Sequence, residues 1–123
     1  MSRKRALVLD DQPNLRMAAK SILNMYGFDV DEGSDGKHGL ELIEANRYDI
    51  VFSDVEMPNM NGFEFLARAK RNPQTQHIPI VICTTLSKPE HIEKGKKLGA
   101  VSYIVKPMQK ETLDRALRNA GLA

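Results

Sequence analysis

The stretch from Tyr48 to Gly62, YDIVFSDVEMPNMNG, decides how this chain is read. Ile50-Val51-Phe52 make a short apolar strand that runs into a carboxylate, Asp54, and stops in a loop of Pro58, Asn59, Asn61 and Gly62. Branched and aromatic side chains suit a buried pleated segment, and Pro, Asn and Gly suit the turn that ends it. An acid at the C-terminal end of a buried parallel strand stands where open α/β sheets place their ligands.

Working outward, Arg5-Ala6-Leu7-Val8-Leu9 is a second apolar strand that ends in acids, Asp10-Asp11. If the two strands are neighbours, three carboxylates crowd one edge of the sheet. Two like charges ~4 Å apart repel by roughly 4 kcal/mol at an effective dielectric of about 20, so the cluster must take up protons or hold a cation. With oxygen ligands alone, Mg²⁺ is the expected occupant.

The chain of 123 residues is expected to form one domain, 1–123, with a real core but no room for a second. A formal charge of +2 is too small to argue for nucleic acid. No apolar run approaches the ~20 residues of a membrane span, and the basic start Met1-Ser2-Arg3-Lys4-Arg5 leads into a strand rather than a signal peptide, so a cytoplasmic protein is expected. That basic flank reads as solubilising. The lone cysteine, Cys83, lies in the run Ile80-Val81-Ile82-Cys83 and reads as a buried packing thiol. His38, His77 and His91 have no metal-ligand spacing and read as solvated surface.

In order, the spacing predicts a helix over 14–26 with apolar Leu15, Met17, Ala18, Ile22, Leu23 and Met25, closed by Gly27. Phe28-Asp29-Val30 reads as a weak strand, Ser34-Asp35-Gly36 as a turn, and Leu40, Ile43 and Ala45 as marks of a helix ending near Asn46. The strand over 49–54 follows, then a helix carrying Phe63, Phe65, Leu66 and Ala69. Residues 78–84 form an unbroken apolar strand, which suits a parallel sheet covered on both faces. Pro89 can open a fourth helix that ends at Gly99. A strand over 101–105 and a helix over 111–119 complete a fivefold strand–helix alternation, an α/β fold with right-handed crossovers. No output domain is evident, so an effector is expected to be a separate molecule.

Two further residues each follow a buried strand at the same edge, Thr84 and Lys106. A hydroxyl and an ammonium facing three carboxylates can bind a phosphoryl group. Asp10-Asp11, Asp54 in DVEMPNMNG, Thr84 and Lys106-Pro107, each at a strand end and in this order, resemble the receiver domain of bacterial response regulators, of the single-domain CheY-like kind. The likeness runs from about Lys4 to Leu117. It implies a three-layer (βα)5 flavodoxin-like fold with a parallel sheet ordered 2-1-3-4-5.

The same resemblance implies roles. Asp54 would be the phosphoacceptor, supplied by the phosphohistidine of a histidine kinase. Asp11, Asp54 and the backbone carbonyl of Glu56 would hold Mg²⁺, with Asp10 assisting through a water. Thr84 and Lys106 would hold the phosphoryl oxygens, Tyr103 would be the switch aromatic that follows Thr84, and the Lys106–Pro107 bond would be cis. The expected protein is a monomer that catalyses its own phosphorylation and dephosphorylation without being a turnover enzyme. It would bind an effector through helix 4, strand 5 and helix 5, and the wording of DVEMP and CTTLS leans towards chemotaxis or motility. Asn61, Thr85 and Met108 depart from common family residues without touching the acid cluster. Lys88, Lys94, Lys96 and Lys97 read as a solvated helix face, which could also favour an acidic partner.

Three rivals stand beside this reading. Asp54 with Glu56 two positions on faintly resembles the haloacid dehalogenase phosphatases, although those place the nucleophile on the first strand. A flavodoxin-like cofactor binder would meet repulsion between the acids and a flavin phosphate. An interaction module that works without phosphorylation would have no use for the intact set of five residues.

Overall fold

The computed structural model describes residues 3–123, so Met1 and Ser2, the first part of the basic flank, lie outside the described residues. Ten elements alternate: β1 (Lys4–Leu9), α1 (Pro13–Met25), β2 (Phe28–Gly33), α2 (Gly36–Ala45), β3 (Ile50–Ser53), α3 (Gly62–Arg71), β4 (Ile80–Thr84), α4 (Pro89–Lys97), β5 (Ser102–Val105) and α5 (Lys110–Asn119). The five strands form one parallel sheet in the order β2-β1-β3-β4-β5.

Side chains on a strand alternate between faces, and the sheet divides its apolar residues accordingly. Leu7, Leu9, Val51, Ile80 and Ile82 join Ile43 of α2 and Phe65 and Leu66 of α3 in one core. Ala6, Val8, Ile50, Phe52, Val81, Cys83 and Ile104 join Leu23 of α1 and Leu113, Ala116 and Leu117 of α5 in the other. Helices therefore cover both faces, and the central strands β1, β3 and β4 are almost wholly apolar because both their faces are dry.

Helix starts follow local chemistry. Pro13 and Pro89 sit in the first turns of α1 and α4, where a missing N–H costs nothing. Asp35 and Asn61 cap α2 and α3 by accepting from the backbone N–H of His38 and Glu64. At the start of α5 the Thr112 hydroxyl accepts from the Gln109 N–H and donates to the Gln109 carbonyl.

Several expectations are corrected. The second strand, expected as weak over Phe28-Asp29-Val30, runs on through Gly33, because β1 pairs with it along its full length from Lys4 to Leu9. On α1, Met17 and Met25 point to solvent, 63% and 86% exposed, and Leu23 is the residue that buries. The described part of the basic flank is paired as well as exposed: Arg3 pairs with Asp29, and Arg5 pairs with Asp31 and lies over the Tyr48 ring. His38 and His77 are exposed as expected, but His91 is half-buried and its Nδ1 is enclosed without a hydrogen-bond partner among the described residues. Of the α4 lysines, Lys94 is more than a solvated charge, because its ammonium lies over the Phe63 ring.

Candidate functional site

The sheet register assembles the site. Leu9 pairs with Ser53, so the residues that follow them, Asp10 and Asp54, emerge side by side, and the Asp54 N–H donates to the Leu9 carbonyl. Thr84 pairs with Val105, which brings Lys106 to the same edge, where its N–H donates to the Thr84 carbonyl. The Lys106–Pro107 peptide bond is cis.

One oxygen from each of Asp10, Asp11 and Asp54 lies within 4.8 Å of the others. Lys106 Nζ reaches two of these acids, Asp10 Oδ2 at 2.6 Å and Asp54 Oδ2 at 3.0 Å. The lysine side chain is 14% exposed and its partners 5% and 12%. Burial works against the ammonium, but the hydrogen bonds and charges of Asp10 and Asp54 outweigh it and hold its pKa above that of an ordinary lysine. Breaking such a pair by removing one partner costs on the order of 3–5 kcal/mol, because the other charge is left buried.

The acids are oriented as well as gathered. Asp54 Oδ1 accepts from the N–H of Val55, and Asp10 Oδ1 accepts from the N–H of Gln12. Arg16 on α1 donates to the Asp10 carbonyl at 2.7 Å while pairing with Glu32 at the end of β2. The sequence reading missed Arg16. Its signal was a basic residue one and a half turns after the acid pair, on the helix that the pair introduces.

Asp11 is exposed, so its carboxylate is free to take a ligand without strain on the core. Three carboxylates against one ammonium leave excess negative charge at a site with oxygen donors alone. That donor set fits a hard divalent cation such as Mg²⁺. The Glu56 side chain is exposed and takes no part in the three-acid group.

Thr84 is fully buried, and its Oγ1 accepts a long contact, 3.4 Å, from the N–H of Leu86. Tyr103 on β5 is half-buried and donates to the Leu86 carbonyl. Beside the acids an apolar cleft of about 300 Å³ opens between α1 and the loop that follows β5, lined by Leu15, Ala19, Ile22, Phe52 and Met108. Cys83 stands in its wall. Burial pushes that thiol up to about 12, so it is a neutral packing group and not a nucleophile.

The comparisons with known proteins agree with this geometry. The profile described as the response regulator receiver domain matches residues 6–118. Protein PilH of Pseudomonas aeruginosa is 33% identical over 119 residues, which cover 97% of this chain and 98% of PilH. The crystallised chemotaxis protein CheY4 of Vibrio cholerae is 34% identical, with a TM-score of 0.87 over 97% of this chain and 99% of that one. A gliding motility regulatory protein of Myxococcus xanthus is 35% identical over 104 residues, and there the chain spans 13% of the relative's length. It likewise spans 23% of a probable cyclic di-GMP phosphodiesterase of Vibrio cholerae. An acid-lined sheet edge with a lysine across it, on a five-stranded parallel sheet ordered 2-1-3-4-5, is thus matched by sequence over nearly the whole chain, which belongs to the response regulator receiver domain family of two-component signalling.

Proposed function

We propose that residues 1–123 work as one phosphorylation-switched signal transducer, which takes a phosphoryl group from the phosphohistidine of a sensor histidine kinase onto Asp54. The observation that carries the reading is the Lys106 ammonium shared between Asp10 and Asp54 at the sheet edge. An Asp54 carboxylate oxygen attacks phosphorus in line, the new O–P bond forms as the P–N bond breaks, and the imidazole leaves. Lys106 then turns from pairing two acids to holding phosphoryl oxygens, and the Thr84 hydroxyl joins it. Asp11, Asp54 and the Glu56 carbonyl are the residues that would hold Mg²⁺, with Asp10 assisting through a water; bound there, the ion's contribution is neutralisation of charge on the transferring oxygens.

Reversal of the signal is hydrolysis of the same acyl phosphate, so the chain promotes both steps upon itself without turning over an external substrate. Output runs from Thr84 through Leu86 to Tyr103, and an effector reads the surface of α4, β5 and α5. Relatives named as gliding motility and chemotaxis proteins support a role in motility or chemotaxis, and we read the chain as a monomer. The reading puts the chain in the cytoplasm, the compartment of an ATP-fed kinase. Among the described residues no helix is long and apolar enough to cross a membrane.

Phosphotransfer profiling tests this function. A labelled histidine kinase from the source organism should pass its phosphoryl group to the parent chain and not to Asp54→Asn. Sustained phosphate release from many small phosphate esters would favour the phosphatase instead. Effector binding that is unchanged in Asp54→Asn would favour a module that works without phosphorylation.

A further inference from the structure

The loop that follows Asp54 is held at two places, and the second has no part in the chemistry described above. At its base the Gly62 N–H donates to the Val55 carbonyl at 2.9 Å, and any side chain on Gly62 would run into the Asp54 carbonyl. At its tip Asn59 stands in the left-handed region with φ of 65°, which a non-glycine residue seldom adopts without a local reason. The reason is across the loop. The Asn59 amide donates to Asp35 Oδ2 at 2.7 Å, and the neighbouring Met60 carbonyl accepts from the Gly36 N–H at 2.9 Å.

The start of α2 is shaped to receive this loop. A Cβ on Gly36 would lie 2.7 Å from the Met60 carbonyl oxygen, so glycine there permits the approach. Asp35 is buried, and its other oxygen is committed to the helix cap by accepting from the His38 N–H at 2.8 Å. The carboxylate is therefore a fixed post at a helix end. A hydrogen bond to an ionised acceptor is also stronger than one between neutral groups.

We propose that Asp35 and Asn59 form a positioning clasp for the metal site: by holding the tip of the loop over 55–62 against α2, the contact fixes the arc that carries the Glu56 carbonyl. The inference rests on the reading above, in which that carbonyl is a metal ligand. Neither residue touches the metal. Each acts through the backbone between the two anchors, as supporting partners behind metal ligands commonly do.

Two substitutions approach the bond from opposite sides and spare local structure. Asn59→Gly keeps the positive φ and removes the amide. Asp35→Ser keeps a helix-capping oxygen but is too short to reach Asn59. Mg²⁺ titrated calorimetrically into the unphosphorylated protein is the readout, with thermal melting alongside. Each variant should bind Mg²⁺ about tenfold more weakly than the parent, and the double variant no more weakly than either single one, since one contact is lost in all three. Parent-like Mg²⁺ affinity in both single variants, with Asp11→Asn losing binding, would overturn the clasp and leave the site intact. Losses that add in the double variant would also overturn it. A parent chain that takes up no Mg²⁺ would overturn the metal site and the clasp together.

Discussion

Tyr103 Oη donates a 2.7 Å hydrogen bond to the carbonyl of Leu86, whose own N–H contacts Thr84 Oγ1 at 3.4 Å. A buried hydroxyl at the acid-lined end of β4 and an aromatic ring on β5 are thus joined through the backbone of a single residue. The ring also lies in a notch of α4: a Cβ on Gly95 would stand 3.0 Å from Tyr103 Cδ2 and 3.3 Å from Cε2.

Gly95→Ala should displace the ring. Helix propensity alone would make this change stabilising by about 0.8–1 kcal/mol, but the added methyl must push Tyr103 outwards. We expect no gain in the urea midpoint. The Tyr103 hydroxyl, raised by burial and secondarily by the Asp54 charge, should titrate closer to 10.0. NMR titration of labelled tyrosine checks this. A full propensity gain with unchanged Tyr103 titration would mean that the notch does not seat the ring.

Asp35 ties acid stability to the same loop. The His38 N–H and then the Asn59 amide hold its carboxyl below the ordinary 3.8. A depressed folded-state pKa stabilises the fold fully above the ordinary value and loses that contribution as pH falls through the lower one. Asp35→Asn, which keeps a capping oxygen, should therefore be less stable than the parent at pH 7 and approach it as pH falls through the lowered folded-state value. Urea unfolding across that range measures the gap. A gap that stays constant with pH would exclude the charge as its source.

Much of this was legible because strand ends carry chemistry. Asp10, Asp54, Thr84 and Lys106 each follow an apolar run, and parallel pairing alone brings such residues to one edge. The Asp35–Asn59 contact was not legible, since it joins two turns 24 residues apart and neither announces its partner. Arg3 and Arg5 look only solubilising in the sequence, because ion pairs to Asp29 and Asp31 exist only once β2 lies beside β1. The exposure of Met17 and Met25 likewise escaped periodicity: α1 turns just one fully buried side chain, Leu23, to the sheet.

Removing one of the three clustered acids should help the metal-free fold. Asp11 is exposed, so solvent screens most of its repulsion with Asp10 and Asp54. Asp11→Asn should raise stability by up to about 1 kcal/mol without Mg²⁺, and it should abolish the further rise that the parent shows when Mg²⁺ is added. Thermal melting with and without the ion gives both values. A Mg²⁺-dependent rise equal to the parent's would remove Asp11 from the metal site.

On the proposed function, Glu56 rather than Leu86 should bear on how long the phosphoryl group survives. Leu86 packs against the core that α2 and α3 cover, whereas Glu56 is exposed and adds negative charge two residues after Asp54. Glu56→Asn should hasten phosphate loss severalfold, because an amide can orient the attacking water where a carboxylate repels the anionic group. Leu86→Gln should chiefly cost stability, because it puts a polar amide where Leu86 packs on the core. Following phosphate release with Mg²⁺ present decides the matter. Equal rates in parent and Glu56→Asn would show that this position does not set the lifetime.

The most direct test of the account is intact-mass and fragment analysis of the chain after incubation with acetyl phosphate and Mg²⁺. The account predicts a single added phosphoryl group on Asp54, absent without Mg²⁺ and absent in Asp54→Asn. A phosphoryl group that persists on the Asp54→Asn variant, or a parent chain that binds Mg²⁺ and stays unmodified, would contradict it.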